Sequence, residues 1–329
     1  MLLKVLINAV FSICIALVMS PIVLSLMRKM RAGQPILHYV DNHTSKAGTP
    51  TMGGLIFLIS ALGVSISTLP PMASPLFVAI LGVIGYALVG ISDDVSKVKS
   101  KRNKGLSPSQ KLVGQIALSL ILSVYAYFSN YLPDGMVIPF FGEIQLGWFR
   151  IILDTIALVA IVNCVNLTDG LDGLVSMSGS VACVAFSIIL ILSAEVYSYT
   201  HIYTHLIDLS AFGMAFGGGL FAFIVLNSFP AKIFMGDTGS LSIGGVLGIL
   251  AVFSGNTLYL LLIGIVYVIS GASVIMQVIY FKLTHKRIFL MAPFHHHLER
   301  IGIHENKIVA IYTVISVLVA MVSIIFYVR

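Results

Sequence analysis

Ten stretches of nearly unbroken apolar sequence, most of them close to twenty residues long, run through this chain. They fall at about 3–27, 52–69, 74–92, 110–129, 148–165, 174–194, 207–226, 239–255, 257–281 and 308–328. A helix of about twenty apolar residues matches the hydrocarbon thickness of a bilayer. Inside that layer only helices and closed barrels can satisfy their own backbone polar groups. The expected fold class is therefore all-α and integral to the membrane, a polytopic bundle of about ten transmembrane helices with residues 1–329 forming a single domain. Charged residues make up only 10% of the chain, against about 25% in ordinary soluble domains, so no soluble core explains it. The first run is too long for a signal-peptide core, and Arg28, Lys29 and Arg31 follow it instead of preceding it. It is expected to stay in the mature protein as the first helix. Cys14, Cys164 and Cys183 lie in or beside apolar runs and are odd in number. They read as small buried hydrophobes, not as a disulfide framework.

Charge orients the bundle. All but Lys4, Arg150 and Arg329 of the nineteen Lys and Arg residues fall in the loops after helices one, three, seven and nine, or at the helix ends facing them. The positive-inside rule then places those loops in the cytoplasm and both termini outside. Five carboxylates share that cytoplasmic side. Asp93 and Asp94 end the third helix, Asp169 and Asp172 join the fifth to the sixth, and Asp237 leads into the eighth. At the bilayer centre each would cost about 2.5–3.5 kcal/mol; at helix ends on one face they cost far less and can surround a cation. The outer acids Asp134, Glu143, Glu195 and Asp208 are scattered and read as solvated. The inner loops are too short to fold alone, so an active site has to be built at the membrane surface.

The chemistry-bearing segments differ in what they offer. Adjacent Asp93 and Asp94 diverge by about 100° on a helix, so sharing one ligand position calls for local unwinding or for separate jobs. Asn166, Asp169 and Asp172 are spaced i, i+3, i+6, which stacks them on one helical face, and Gly170 and Gly173 beside them let backbone approach a ligand. Asp237 precedes Thr238, Gly239 and Ser240 at a helix start, a good place for a magnesium ion and the phosphates it bridges. Asp237-Thr-Gly239 also matches the aspartic-protease triplet, but that chemistry needs a β-rich setting and a second copy, and Phe234 breaks the intramembrane-protease pattern. His295, His296 and His297 are consecutive, too close for a zinc site, and can donate to phosphate or carry protons. Lys46 could reach an anion. The basic run Lys97 to Lys104 reads mostly as an anchor against anionic lipid. Acids for Mg²⁺, bases for phosphate and a bilayer-level location together suggest a reaction between a soluble phosphorylated molecule and a lipid phosphate.

Five motifs occur together and in order: Ser45-Lys-Ala-Gly-Thr-Pro-Thr-Met-Gly-Gly54, Asp93-Asp94, Asn166-Leu-Thr-Asp-Gly-Leu-Asp-Gly173, Phe234-Met-Gly-Asp-Thr-Gly-Ser240 and Pro293-Phe-His-His-His-Leu-Glu299. The set resembles the phospho-N-acetylmuramoyl-pentapeptide transferases, a branch of the polyprenyl-phosphate N-acetylhexosamine-1-phosphate transferases. The resemblance implies transfer of the phospho-sugar of UDP-N-acetylmuramoyl-pentapeptide to undecaprenyl phosphate, with release of UMP and formation of lipid I. It also implies Mg²⁺ as cofactor and a multi-pass protein of the bacterial plasma membrane, with the lipid bilayer as partner. No nucleic-acid partner is expected, and a homodimer is compatible with it.

By the same resemblance Asp237 binds Mg²⁺, Asp93 activates the lipid phosphate or acts on a covalent intermediate, and Asp94 orients or assists. Asp172 and Phe234 contact the uracil. Asn166, Asp169 and Asn227 support the sugar and pyrophosphate, with Lys46, Lys97, Lys111 and the histidine triplet, His296 foremost, as further contacts. The three-histidine loop favours the muramoyl-pentapeptide branch over relatives using UDP-N-acetylglucosamine. A transporter or lipid flippase is the rival of another class; it would place charges near the midplane and often show inverted repeats, and neither is visible.

Overall fold

A computed structural model describes residues 2–30, 48–67, 74–100 and 105–327. Lys46 lies outside the described residues. Twelve helices follow one another: α1 (Leu2–Lys29), α2 (Gly54–Ile66), α3 (Pro75–Ser100), α4 (Pro108–Phe128), α5 (Phe149–Thr168), α6 (Leu174–Val196), α7 (His201–Asn227), α8 (Gly236–Phe253), α9 (Leu260–Ile263), α10 (Ile265–Thr284), α11 (Phe294–Arg300) and α12 (Glu305–Ile325). Among the described residues, nine helices are long and apolar enough to cross a membrane, and α2, at 13 residues, is a shorter apolar tenth. The protein is an all-α, multi-pass membrane protein.

Three boundaries differ from the sequence reading, each for a local reason. The predicted ninth helix is broken at Gly264, so a 3-10 turn (Thr257–Tyr259) and α9 precede α10. The third helix does not end at the aspartate pair but runs six residues past Asp94, to Ser100. The last begins at Glu305, with His304 as N-cap accepting the Asn306 N–H. Of the cysteines, Cys14 is exposed on the surface of α1 and only Cys183 is fully buried.

Helix α8 is the centre of the bundle, almost wholly buried and wrapped chiefly by α3 and α5. Its glycines are what admit it to that position. A Cβ on Gly244 would sit 2.5 Å from the Cα of Val162, and one on Gly245 2.4 Å from the Tyr86 ring. Between apolar helices in lipid, such close backbone approach supplies the dispersion contacts that hold the bundle.

At the end of α8 remote from Asp237, a two-stranded hairpin, β1 (Met136–Ile138) with β2 (Gly142–Ile144), is tied down by the Val137 N–H, which donates to Gly255 O at 2.8 Å. Beside it Arg150, wholly buried, donates through Nη2 to Val252 O (3.0 Å) and through Nε to Asp154 Oδ2 (3.2 Å), while Thr257 Oγ1 donates to Asp154 Oδ1 (2.6 Å). Arg150 is therefore a structural ion at this end. Asp208, read as a scattered solvated acid, pairs with Lys4 at 2.6 Å between α1 and α7.

Candidate functional site

The carboxylate cluster forms where α3 and the first turn of α8 meet. Asp93 and Asp94 lie on unbroken α3, and Asp237 opens α8; one oxygen from each lies within 4.8 Å of the others. No unwinding of α3 is needed, because Asp237 enters from a second helix and takes the position that two adjacent side chains cannot share. Two features admit it. A Cβ on Gly90, one turn before Asp94, would stand 2.3 Å from the Asp237 carbonyl oxygen, and a Cβ on Gly54 would stand 2.4 Å from the Cα of Gly239. The Thr-Pro-Thr-Met-Gly-Gly segment runs alongside the approach to α8: Phe234 N–H donates to Pro50 O (2.8 Å), Gly53 N–H to Phe234 O (2.8 Å) and Gly54 N–H to Met235 O (3.0 Å).

Each carboxylate has a different environment. Asp94, fully buried, accepts from the Asp237 N–H at 3.1 Å, the Thr238 N–H at 2.9 Å and the Thr238 hydroxyl at 2.6 Å. It caps α8 from another helix, satisfying N–H groups that a helix start leaves orphaned. Gly236 beside it has φ +71° and no room for a Cβ, which would lie 2.5 Å from Asp94 Oδ2. Asp93 accepts the Leu106 N–H at 2.8 Å and faces Lys97 Nζ at 2.6 Å, the i,i+4 partner that the longer α3 supplies. Asp237 is ringed by Lys97 Nζ (3.2 Å), Lys111 Nζ (2.6 Å) and Asn166 Nδ2 (2.9 Å). Asn166 also accepts from Lys111 (3.2 Å) and donates to Ser240 Oγ (2.8 Å). Three carboxylates against two ammonium groups leave one negative charge, and a mobile cation fits that donor set.

The second acidic motif departs from the expected helical stack. α5 stops at Thr168, and the chain turns through Gly170 to Gly173, whose φ of +81° suits glycine alone. Asn166 therefore faces Asp237, while Asp172 looks elsewhere: its N–H donates to Glu305 Oε1 (2.5 Å) and its Oδ2 accepts the Ala231 N–H (2.9 Å). Burial, then the negative charges of Asp237 and Asp94, push the Asp169 carboxyl well above the usual carboxylate range. Asn227, buried, accepts from the Ser176 hydroxyl and donates to Ile233 O at 3.1 Å, holding the segment that leads to half-buried Phe234.

The three histidines separate by environment. A Cβ on Gly170 would lie 2.5 Å from His295 Nε2 and 2.8 Å from His296 Nε2, so α11 rests directly on the glycine of the acidic turn. His295 is fully buried, and burial, then the neighbouring His296, lowers its pKa to about 3. His296 is partly exposed and pairs with Glu299 at 2.9 Å. His297 Nδ1 accepts the Leu290 N–H at 3.2 Å and packs among Phe289 and Phe294. Sequence reasoning missed Gly90, Glu305 and the side-chain contact of Ser240 with Asn166. The Gly90-Ile-Ser-Asp93 spacing, one helical turn, was the available signal for the first; the other two depend on partners distant in sequence.

Residues 76–255 of this many-helix membrane protein, which hold Asp93, Asp94, Lys97, Lys111, Asn166 and Asp237, match the family model described as glycosyl transferase family 4. Residues 46–58 match the phospho-N-acetylmuramoyl-pentapeptide-transferase signature 1. The phospho-N-acetylmuramoyl-pentapeptide-transferase of Desulfitobacterium hafniense is 40% identical over 332 residues, covering 98% of each chain. Those of Clostridium perfringens strain SM101 and Halalkalibacterium halodurans are each 39% identical, over 97% of this chain and 96% of theirs. The chain belongs to the phospho-N-acetylmuramoyl-pentapeptide-transferase family.

Proposed function

We propose that the protein transfers phospho-N-acetylmuramoyl-pentapeptide from its UDP-linked form to undecaprenyl phosphate, giving lipid I and UMP. The observation that carries this reading is the junction of Asp93, Asp94 and Asp237 with Lys97, Lys111 and Asn166 in a chain that matches the named transferases along nearly its whole length. An oxygen of the lipid phosphate attacks the phosphorus next to the sugar, and the bond from that phosphorus to the UMP oxygen breaks. Asp93 aligns the attacking phosphate or its proton; Asp94 acts by holding the start of α8. Asp237, with Asp93 beside it, would hold Mg²⁺, which when bound neutralises the pyrophosphate and improves its leaving group. Lys97 and Lys111, which stand beside Asp237, with Asn166 between Lys111 and Ser240, bind phosphate oxygens.

Asp172 and Phe234 receive the uracil, Asp169 and Asn227 shape the sugar side, and Lys46 reaches an anionic group. Of the triplet, His296, partly exposed against Gly170, is the member that touches substrate, while buried His295 and, through the Leu290 N–H it accepts, His297 set the position of α11. The excess of Lys and Arg at this end favours a cytoplasmic site in a bacterial plasma membrane. The test gives detergent-solubilised protein undecaprenyl phosphate, Mg²⁺ and either UDP-N-acetylmuramoyl-pentapeptide or UDP-N-acetylglucosamine. UMP release is expected with the first and to stop with a chelator. Folded protein that releases UMP from neither, or only from the second, would overturn the reading.

A further inference from the structure

Past the acidic site, α10 leaves the bundle. Ile275, Val278, Ile279 and Leu283 are all exposed on its second half. At its end the chain folds back as a hook, and side chains fasten it. Gln277 Oε1 accepts the N–H groups of Ile288 (3.2 Å) and Phe289 (2.9 Å), and Ser273 Oγ accepts that of Phe294 (3.0 Å). The hook and helix enclose a cavity of about 440 Å³ whose lining includes Gln277, Phe281, Lys282, Arg287 and Leu290. Lys282 and Arg287 are exposed, Lys286 is adjacent, and no acidic residue occurs from Thr238 through Leu298. The nearest acid beyond, Glu299, is paired with His296. Phe281, Leu283, Ile288 and Leu290 add exposed apolar surface around these cations.

Cations flanking an apolar-walled cleft, at a bundle end whose helix presents apolar side chains to its surroundings, complement one chemistry: a phosphodiester with acyl chains attached. We propose that this hook binds the headgroup of an anionic phospholipid from the leaflet on the carboxylate side, with the acyl chains lying along α10. Because Leu290 N–H bonds to His297, an occupied hook braces the segment that carries the histidines over Gly170. The site is distinct from the carboxylate cluster and does not depend on the reaction proposed for it.

The test is native mass spectrometry of the detergent-solubilised full chain, titrated with phosphatidylglycerol or phosphatidylcholine of matched acyl chains. Wild type, the double variant Lys282→Gln/Arg287→Gln and the control Arg28→Gln/Lys29→Gln are compared. Near a membrane surface each basic side chain contributes about fivefold in affinity for anionic lipid. The first variant should therefore lose about 25-fold for phosphatidylglycerol, while phosphatidylcholine binding and the control stay unchanged. Equal losses in both variants would reduce the hook to general positive-inside attraction and overturn the proposal. So would displacement of phosphatidylglycerol by millimolar inorganic phosphate, or a loss confined to added undecaprenyl phosphate, which would assign the cavity to a free anion or to the acceptor lipid. The substituted side chains are exposed, and an unchanged unfolding midpoint followed by Trp148 fluorescence establishes that each variant is folded.

Discussion

Replacing Asp94 by Asn separates a structural role from a chemical one. Asp94 is fully buried and accepts three hydrogen bonds from the first turn of α8. Asparagine retains one acceptor oxygen but presents an NH₂ group to donors, so at least one buried N–H or O–H loses its partner, at about 1–3 kcal/mol. Removing the charge also removes its attraction to the helix N-terminus, worth up to about 2 kcal/mol in a buried setting. The expected destabilisation is about 3–4 kcal/mol. Asp93→Asn is the contrast: its amide oxygen can still accept the Leu106 N–H, and Lys97 keeps Asp237 at 3.2 Å, so about 1 kcal/mol or less is expected. Both substitutions should stop UMP release. Unfolding in mixed micelles, followed by the single tryptophan Trp148, measures the difference. Thr238→Val, which removes only the 2.6 Å hydroxyl bond, should cost about 1–2 kcal/mol and keep most of the turnover. If Asp94→Asn unfolds within about 1 kcal/mol of Asp93→Asn, the capping argument is wrong and Asp94 belongs with the reacting groups.

Gly90→Ala should lower turnover at least tenfold and weaken the response to added Mg²⁺, because its Cβ meets Asp237 backbone at 2.3 Å and neither helix can give way easily; an unaltered Mg²⁺ titration would refute this. Asp154→Asn strands buried Arg150 without its counter-charge and should cost about 3–5 kcal/mol, with UMP release per folded molecule unchanged. His295 gives a pH dependence of definite sign. Its folded form stays neutral down to about pH 3, whereas the unfolded chain takes up a proton below about 6.5. The stability present above pH 6.5 therefore falls as pH drops from 6.5 toward 3, by about 1.4 kcal/mol per unit. His295→Phe should remove that component of the slope in unfolding measured across this range.

What the sequence disclosed was whatever repeats locally. Apolar length marks a span without reference to any neighbour, so nine spans and the shorter α2 were visible. The common location of Asp93, Asp94 and Asp237 followed from counting basic residues along the same spans. What stayed hidden were partner choices between elements far apart in the chain. Nothing around Asp94 says that its carboxylate closes the start of α8, 143 residues on. Arg150 looked like an outer-surface cation because only Asp154, four residues on, is a local partner, and nothing local shows Val252 and Thr257 closing around the pair. The i, i+3, i+6 spacing of Asn166, Asp169 and Asp172 misled for the opposite reason. It is a helical signal, but the two glycines that suggested ligand approach end the helix before the stack can form.

The start of α8 links these facts. A helix that begins on a carboxylate and packs against two others would be pushed apart by its own charge unless something compensates. Here Asp94 is held by the α8 backbone donors, Asp93 by Lys97, and Asp237 by Lys97, Lys111 and Asn166. Lys97 and Lys111 reach the cluster on flexible stems. Asp237 would hold a divalent ion where two movable side chains now sit, and the fixed backbone groups that hold Asp94 would be left in place. The lysines stand on α3 and α4 while Asp237 stands on α8, so each ammonium group can move without disturbing the helix start that positions the carboxylate.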